Sequence, residues 1–218
     1  MSLTESLKAY AHRSVEKLPE AAKQTMQNAI DELKSSHLID DALKTGDTFP
    51  NFELPNVNGE SVSLASLLQN GPLVISFYRG GWCPYCNIEL KALQSILPQL
   101  KENNAQLIAI TPEAPDNSLS TIEKNNLEFE VLTDANNAFA KSINLVYKLP
   151  ENLVSLYKTF GIDLVQSQGN NNSELPISGT YVIDTSGKII FHHLEEDYKL
   201  RADTDEILKS LSKIEVLS

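Results

Sequence analysis

An abrupt junction constrains this chain more than any other feature. Pro72-Leu73-Val74-Ile75-Ser76-Phe77-Tyr78, an apolar, β-branched and aromatic run of strand length, leads straight into Arg79-Gly80-Gly81-Trp82-Cys83-Pro84-Tyr85-Cys86. From residue 87 to residue 100 apolar residues recur at helical spacing, and Leu90, Leu93 and Leu97 continue a stripe that begins at Cys86. A buried strand therefore turns into a helix at the chain's 2 cysteines.

That location favours thiolate chemistry. The first turn of a helix offers unpaired N–H groups and the positive end of the macrodipole, and the thiolate is the reactive form of cysteine. Pro84 suits a helix start, having no N–H to leave unsatisfied and a φ already set. On one helical turn the two sulfurs stack within reach of a disulfide. The stripe places Cys86 inward; Cys83, at the tip, is expected to meet solvent and to be the more accessible thiol. Trp82 and Tyr85 are expected to line the site, although packing alone also explains aromatics there.

Two other readings of the cysteines are weaker. A structural zinc site needs four N or S ligands, and beyond the cysteines only His12, His37, His192 and His193 are available. His192 and His193 are adjacent on an expected strand and point to opposite faces, so no metal is assigned. Inert core cysteines are common, but less expected at a strand-to-helix turn between aromatics.

With 218 residues the chain can bury a full core in one domain with an appended helical piece. A net charge of −11 argues against nucleic acid or an anionic membrane as partner. The N-terminus lacks the marks of a secretory signal, so a cytoplasmic location is expected. In that reducing compartment a close cysteine pair points to redox activity rather than a structural staple. No glycine-rich dinucleotide pattern follows any strand, so no cofactor is expected and reducing equivalents arrive by thiol exchange.

Apolar spacing predicts two helices broken at Pro19, packing on the core or on a second subunit of a homodimer. Residues 48–54 read as a strand, Asn58-Gly59 as a tight turn, and Ser63 as the cap of a short helix. Strands at 105–110 and 128–133 alternate with helices at 118–126 and 135–143, which calls for parallel strands. After a helix at 151–160, residues 161–176 read as a polar loop, 180–184 and 188–192 as a hairpin, and 203–217 as a closing helix with Ile207, Leu208, Leu211 and Ile214 inward.

Three landmarks carry a resemblance: Gly46-Asp47-Thr48-Phe49-Pro50-Asn51-Phe52; Phe77-Tyr78 with the cysteine turn; and Gly179-Thr180-Tyr181-Val182-Ile183-Asp184 with Gly187-Lys188-Ile189. From about residue 46 to 211 the chain resembles the peroxiredoxin-like branch of the thioredoxin superfamily, the relatives of alkyl hydroperoxide reductase and thiol-specific antioxidant. The resemblance implies a three-layer α/β/α thioredoxin-like fold over residues 46–218, preceded by a helical extension over residues 1–45.

The resemblance has two halves that name different lead sulfurs. Read as a thioredoxin turn, Cys83 attacks and Cys86 resolves. Read as the peroxiredoxin pattern P-x-x-x-T-x-x-C, Cys86 takes the peroxidatic position, with Arg79 where proline stands and Cys83 where threonine stands. Ser178 occupies both the slot of the family's arginine before the G-T strand and the position of the thioredoxin cis-proline; a trans peptide is expected there, because cis costs about 3 kcal/mol without proline. Arg79 is the candidate to supply the missing charge.

The leading reading is a thiol peroxidase: Cys86, by family position, reduces a hydroperoxide, Cys83 closes the disulfide, and a thioredoxin- or glutathione-type system reduces it. The same residues also fit exchange with protein disulfides, or a redox sensor that binds a partner through the N-terminal helices.

Overall fold

The computed structural model describes residues 2–212. Helix α1 (Leu3–Glu16) starts from a capping box in which Ser2 and Glu5 satisfy each other's backbone N–H groups, and Pro19 separates it from α2 (Glu20–Ser35). A short 3₁₀ turn, Leu38–Asp41, leads into the body of the protein. There follow β1 (Glu53–Pro55), β2 (Ser61–Ser63), α3 (Leu64–Leu68), β3 (Leu73–Phe77), α4 (Pro84–Ser95), α5 (Leu97–Glu102), β4 (Gln106–Thr111), α6 (Pro115–Asn125) and β5 (Glu130–Thr133). The last third holds α7 (Ala138–Ser142), β6 (Val146–Lys148), α8 (Glu151–Thr159), α9 (Leu164–Gln168), β7 (Glu174–Pro176), β8 (Thr180–Ile183), β9 (Ile189–His193) and α10 (Thr204–Leu211).

The central sheet has 5 strands in the order β5-β4-β3-β8-β9. β3, β4 and β5 pair in parallel, as helical crossovers require, and β8 and β9 add an antiparallel hairpin beside β3. Side chains alternate across it: Val74, Leu107, Ala109 and Val182 enter one core, while Leu73, Ile75, Ile108, Ile110, Tyr181 and Ile183 enter the other. The first core is covered by α4, α10 and the N-terminal helix α1, whose Leu3 and Leu7 are buried in it. Helix α1 therefore packs on its own chain, tied further by the Thr4 hydroxyl donating to Asp203, the cap of α10.

Several expectations need correction. The strand expected at 48–54 is reduced to Glu53–Pro55: Thr48 makes one isolated bridge to Lys188, and Pro50 has no N–H to extend a ladder. The helix after the cysteines breaks at Ile96, because Pro98 removes an i→i−4 bond, and restarts as α5. Residues 161–176 are not merely loop: Asp163 caps α9 by accepting from the Gln166 N–H, Leu164 and Leu175 are buried, and β7 pairs with β6. Ile214 and Leu217 of the expected closing helix lie outside the described residues.

Candidate active site

β3 delivers the chain at the end of the sheet, and the turn that follows is clamped by its neighbours. The Glu113 carboxylate accepts from the Gly81 N–H at 2.8 Å and from the Ser167 hydroxyl at 2.9 Å. The Asn87 amide donates to the carbonyls of Gly81 (2.7 Å) and Cys83 (2.8 Å), and its oxygen accepts from Asn125 at 2.8 Å. Gly80 has φ 151°, and a Cβ on Gly81 would overlap the Thr121 hydroxyl, so the turn passes too close to α6 for a larger residue. Cys83 is the N-cap of α4, with Pro84 opening the helix and Cys86 inside its first turn; both cysteines are free thiols.

Cys83 does not meet solvent: both cysteines are 0% exposed. The helical tip that spacing alone leaves open is roofed by α1 and by residues 198–201. Tyr85 stacks edge-on against Tyr10 of α1 (5.1 Å between centroids) and against Tyr198 (5.5 Å). Pro84 is the one exposed residue of the turn's Cys83–Cys86 segment.

Two buried guanidinium groups divide the sulfurs between them. Arg79 donates through Nη2 to Cys83 Sγ at 2.9 Å and through Nη1 to the Tyr157 hydroxyl at 3.2 Å, and its Cζ lies 4.0 Å from the Tyr198 ring centroid and 5.2 Å from that of Trp82. Arg201 donates through Nε to Glu89 at 2.6 Å, and its Nη2 lies 3.6 Å from Cys86 Sγ. The carbonyls of Leu200 and Tyr198 accept from Arg201 Nη1, so Tyr198 touches one guanidinium with its ring and the other with its backbone.

The consequence is unequal thiols. Burial opposes a thiolate at Cys83, but the Cys86 S–H donating to it and the charges of Arg79 and Arg201 outweigh burial and hold its pKa well below the ordinary thiol value. Burial pushes Cys86 well above that value, and the proton it shares with Cys83 and the adjacent negative charge push the same way. For Glu89, burial raises the carboxyl to about 7, with Arg201 limiting the rise. Replacing Arg79 by glutamine is therefore expected to slow the reaction of Cys83 with iodoacetamide at pH 7 about 10²-fold, the scale of losing one charged donor to a reacting anion. Its pH profile should shift to higher pH, because the thiolate loses its nearest cation; a profile unchanged from wild type would remove Arg79 from this role.

Of the residues singled out in the sequence, Arg79, Trp82, Cys83, Pro84, Tyr85 and Cys86 are brought together here. Ser178 is buried just before β8, its hydroxyl has no hydrogen-bond partner among the described residues, and its peptide is trans like every other described bond. Sequence reasoning missed Glu89, Glu113, Tyr157, Tyr198 and Arg201. Glu89 alone carried a signal, being a charge three residues after Cys86 on the side of the helix that otherwise reads as core.

A dithiol at the start of the helix after a central parallel strand, with a buried arginine donating to one sulfur and lowering its pKa, defines a thiol-based oxidoreductase on a thioredoxin-type sheet. Residues 45–192 match the model of the AhpC/TSA family. Peroxiredoxin Bcp of Escherichia coli is 25% identical over 172 residues, which cover 78% of this chain and 97% of that protein. The crystal structure of peroxidoxin BcpB from Mycobacterium tuberculosis superposes with a TM-score of 0.62 at 24% identity, covering 79% of this chain and 98% of that one. A yeast mitochondrial 1-Cys peroxiredoxin gives 0.61 at 17% identity, covering 80% and 77%. The chain belongs to the AhpC/TSA family and is a peroxidase of the peroxiredoxin type.

Proposed function

We propose that this protein reduces hydroperoxides through a cycle between the Cys83/Cys86 dithiol and its disulfide, with Cys83 as the attacking thiolate. The Cys83 sulfur takes the terminal OH of the peroxide as the O–O bond breaks, becoming a sulfenic acid, and the leaving alkoxide or hydroxide takes a proton. The Cys86 thiol then condenses with the sulfenic acid, forming the S–S bond and releasing water. An external dithiol of the thioredoxin type reduces the disulfide by exchange, restoring both thiols. The carrying observation is the 2.9 Å contact of Arg79 with Cys83, the sulfur favoured as thiolate. Family position favours Cys86 instead, but burial and the neighbouring Cys83 raise its pKa, and its nearby guanidinium is shared with Glu89.

Arg79, Trp82 and Tyr85 wall this centre in the proposed cycle, and Pro84 starts its helix; Ser178, buried just before β8, is given no step in it. The N-terminal helices serve as a cover on the same subunit, and association into a homodimer is left to the rest of the surface. Among the described residues no helix is long and apolar enough to cross a membrane, and the cycle requires a dithiol reductant within reach of the protein.

Stopped-flow mixing of the reduced protein with hydrogen peroxide is expected to give rapid formation of one intramolecular disulfide, read by mass spectrometry, and catalytic peroxide loss when a thioredoxin system is added. Sluggish oxidation together with brisk reduction of insulin disulfides would replace this reading with protein disulfide exchange.

A further inference from the structure

Arg79 and Cys83 are the two ends of a short loop that closes on itself. The Arg79 guanidinium reaches Cys83 Sγ at 2.9 Å, and inside the loop the Cys83 N–H donates to the Gly80 carbonyl at 3.1 Å. Gly81 is the middle residue, and because peptide units are planar, the orientation of the two that meet there sets how far apart guanidinium and sulfur stand. Gly81 is gripped on both sides: its N–H donates to Glu113 at 2.8 Å, and its carbonyl accepts from the Asn87 amide at 2.7 Å. Asn87 lies on α4 and travels with the cysteines. Glu113 follows β4, so it ties the loop to a separate part of the fold.

Glu113 is suited to that task. It is 2% exposed, and its two hydrogen-bond donors, the Gly81 N–H and the Ser167 hydroxyl at 2.9 Å, are both neutral. A carboxylate has two acceptor oxygens and no donor, so it takes both at once. Ser167 is itself fixed, its carbonyl accepting from the Ala114 N–H at 2.9 Å and from the Asn117 amide at 3.0 Å. The carboxylate oxygen bonded to Ser167 presses against the loop so closely that a Cβ on Gly80 would stand 2.9 Å from it. Burial, and after it the charge of Cys86, push the Glu113 carboxyl up, while the bonds from Gly81 and Ser167 hold it down. A carboxyl buried on neutral donors costs stability that an apolar side chain would not, and its place beneath the redox turn points to a functional role.

We infer that Glu113, fixed by Ser167, is a positioning residue for the peroxidase: it holds the Gly81 peptide so that Arg79 and Cys83 stay at contact distance. The inference rests on the reading of Cys83 as the attacking thiolate and adds to it a residue that acts on that sulfur through the backbone.

The sign of one measurement separates positioning from charge. Glu113→Ala removes both the grip on Gly81 and a negative charge near the thiols. Losing the grip weakens the Arg79 contact and moves thiolate formation to higher pH, whereas losing the charge alone moves it to lower pH. In a titration of ultraviolet thiolate absorption, the midpoint of reduced Glu113→Ala is expected above that of wild type. Its first turnover with hydrogen peroxide should slow about 10²-fold, the scale of a slightly misplaced reacting group. Glu113→Gln keeps an oxygen for Gly81 without the charge, so it should return the midpoint to the wild-type value or below and restore most of the rate. Ser167→Ala removes one of the two donors and should move the midpoint up by less. A midpoint unmoved or lowered in Glu113→Ala, or in Ser167→Ala should the first variant not fold, overturns the inference and leaves the peroxidase standing, as does Glu113→Gln being impaired as much as Glu113→Ala. Wild-type protein that leaves hydrogen peroxide unconsumed overturns the peroxidase reading whatever the titration shows.

Discussion

Cys83→Ser is expected to abolish the first turnover with hydroperoxide, slowing it on the order of 10³-fold, because it removes the sulfur proposed as the attacking thiolate, the one whose pKa its surroundings lower. Cys86→Ser is expected to retain that first turnover and stop there, since no thiol remains to convert the sulfenic acid into a disulfide. Neither variant should sustain catalysis with a thioredoxin system. Single-turnover stopped-flow traces, with dimedone trapping of the sulfenic acid followed by mass spectrometry, separate the two roles. Sulfenic acid on Cys86, with the first turnover lost in Cys86→Ser and kept in Cys83→Ser, would give the lead to Cys86.

The largest effect on stability is expected at the Glu89–Arg201 pair. Both partners are fully buried as side chains and meet at 2.6 Å. Such a pair adds little over a well-packed apolar replacement, but removing one partner leaves the other charge buried alone. Arg201→Ala should therefore lower unfolding free energy by about 3–5 kcal/mol, while the double replacement Glu89→Leu with Arg201→Met should cost much less. At about 2–4 °C per kcal/mol for a chain of this size, the single variant loses roughly 6–20 °C in Tm.

The pH dependence gives a second test of the same pair. Burial raises the Glu89 carboxyl to about 7 in the folded protein, above its ordinary 4.5. A raised carboxyl favours the native state most at low pH, and that advantage is lost as pH rises through about 7. Without Arg201 the carboxyl is driven further up, so the destabilisation of Arg201→Ala should be smaller at pH 5.5 than at pH 8 in urea unfolding. Equal losses at the two pH values would mean that the pair is not the source of the effect.

The same two arginines show where sequence and fold part company. Arg79 lies four residues before Cys83 at the end of β3, so strand, turn and helix alone bring it to the sulfur, and it was legible. Arg201 lies 112 residues from Glu89 and 115 from Cys86, and only the placing of β8, β9 and residues 194–203 over α4 brings it there. The hidden α9 and β7 were missed for a related reason. Their residues are polar by composition, and a cap at Asp163 with two buried leucines outweighs that composition only once α8 and β6 lie beside them.

Local pattern was sufficient for what depends on near neighbours in the chain: the strand-to-helix junction, the cysteine spacing, the break at Pro19 and the parallel alternation through β5. It could not settle how open the cysteines are or which of them holds the charge. Solvent access and thiol pKa depend on what packs over the helical tip, and that cover comes from α1 at one end of the chain and Tyr198 and Arg201 near the other. Burial and Coulomb interactions act through space at a few ångströms, so the reactivity of the two sulfurs was decided only when the tertiary structure closed around them.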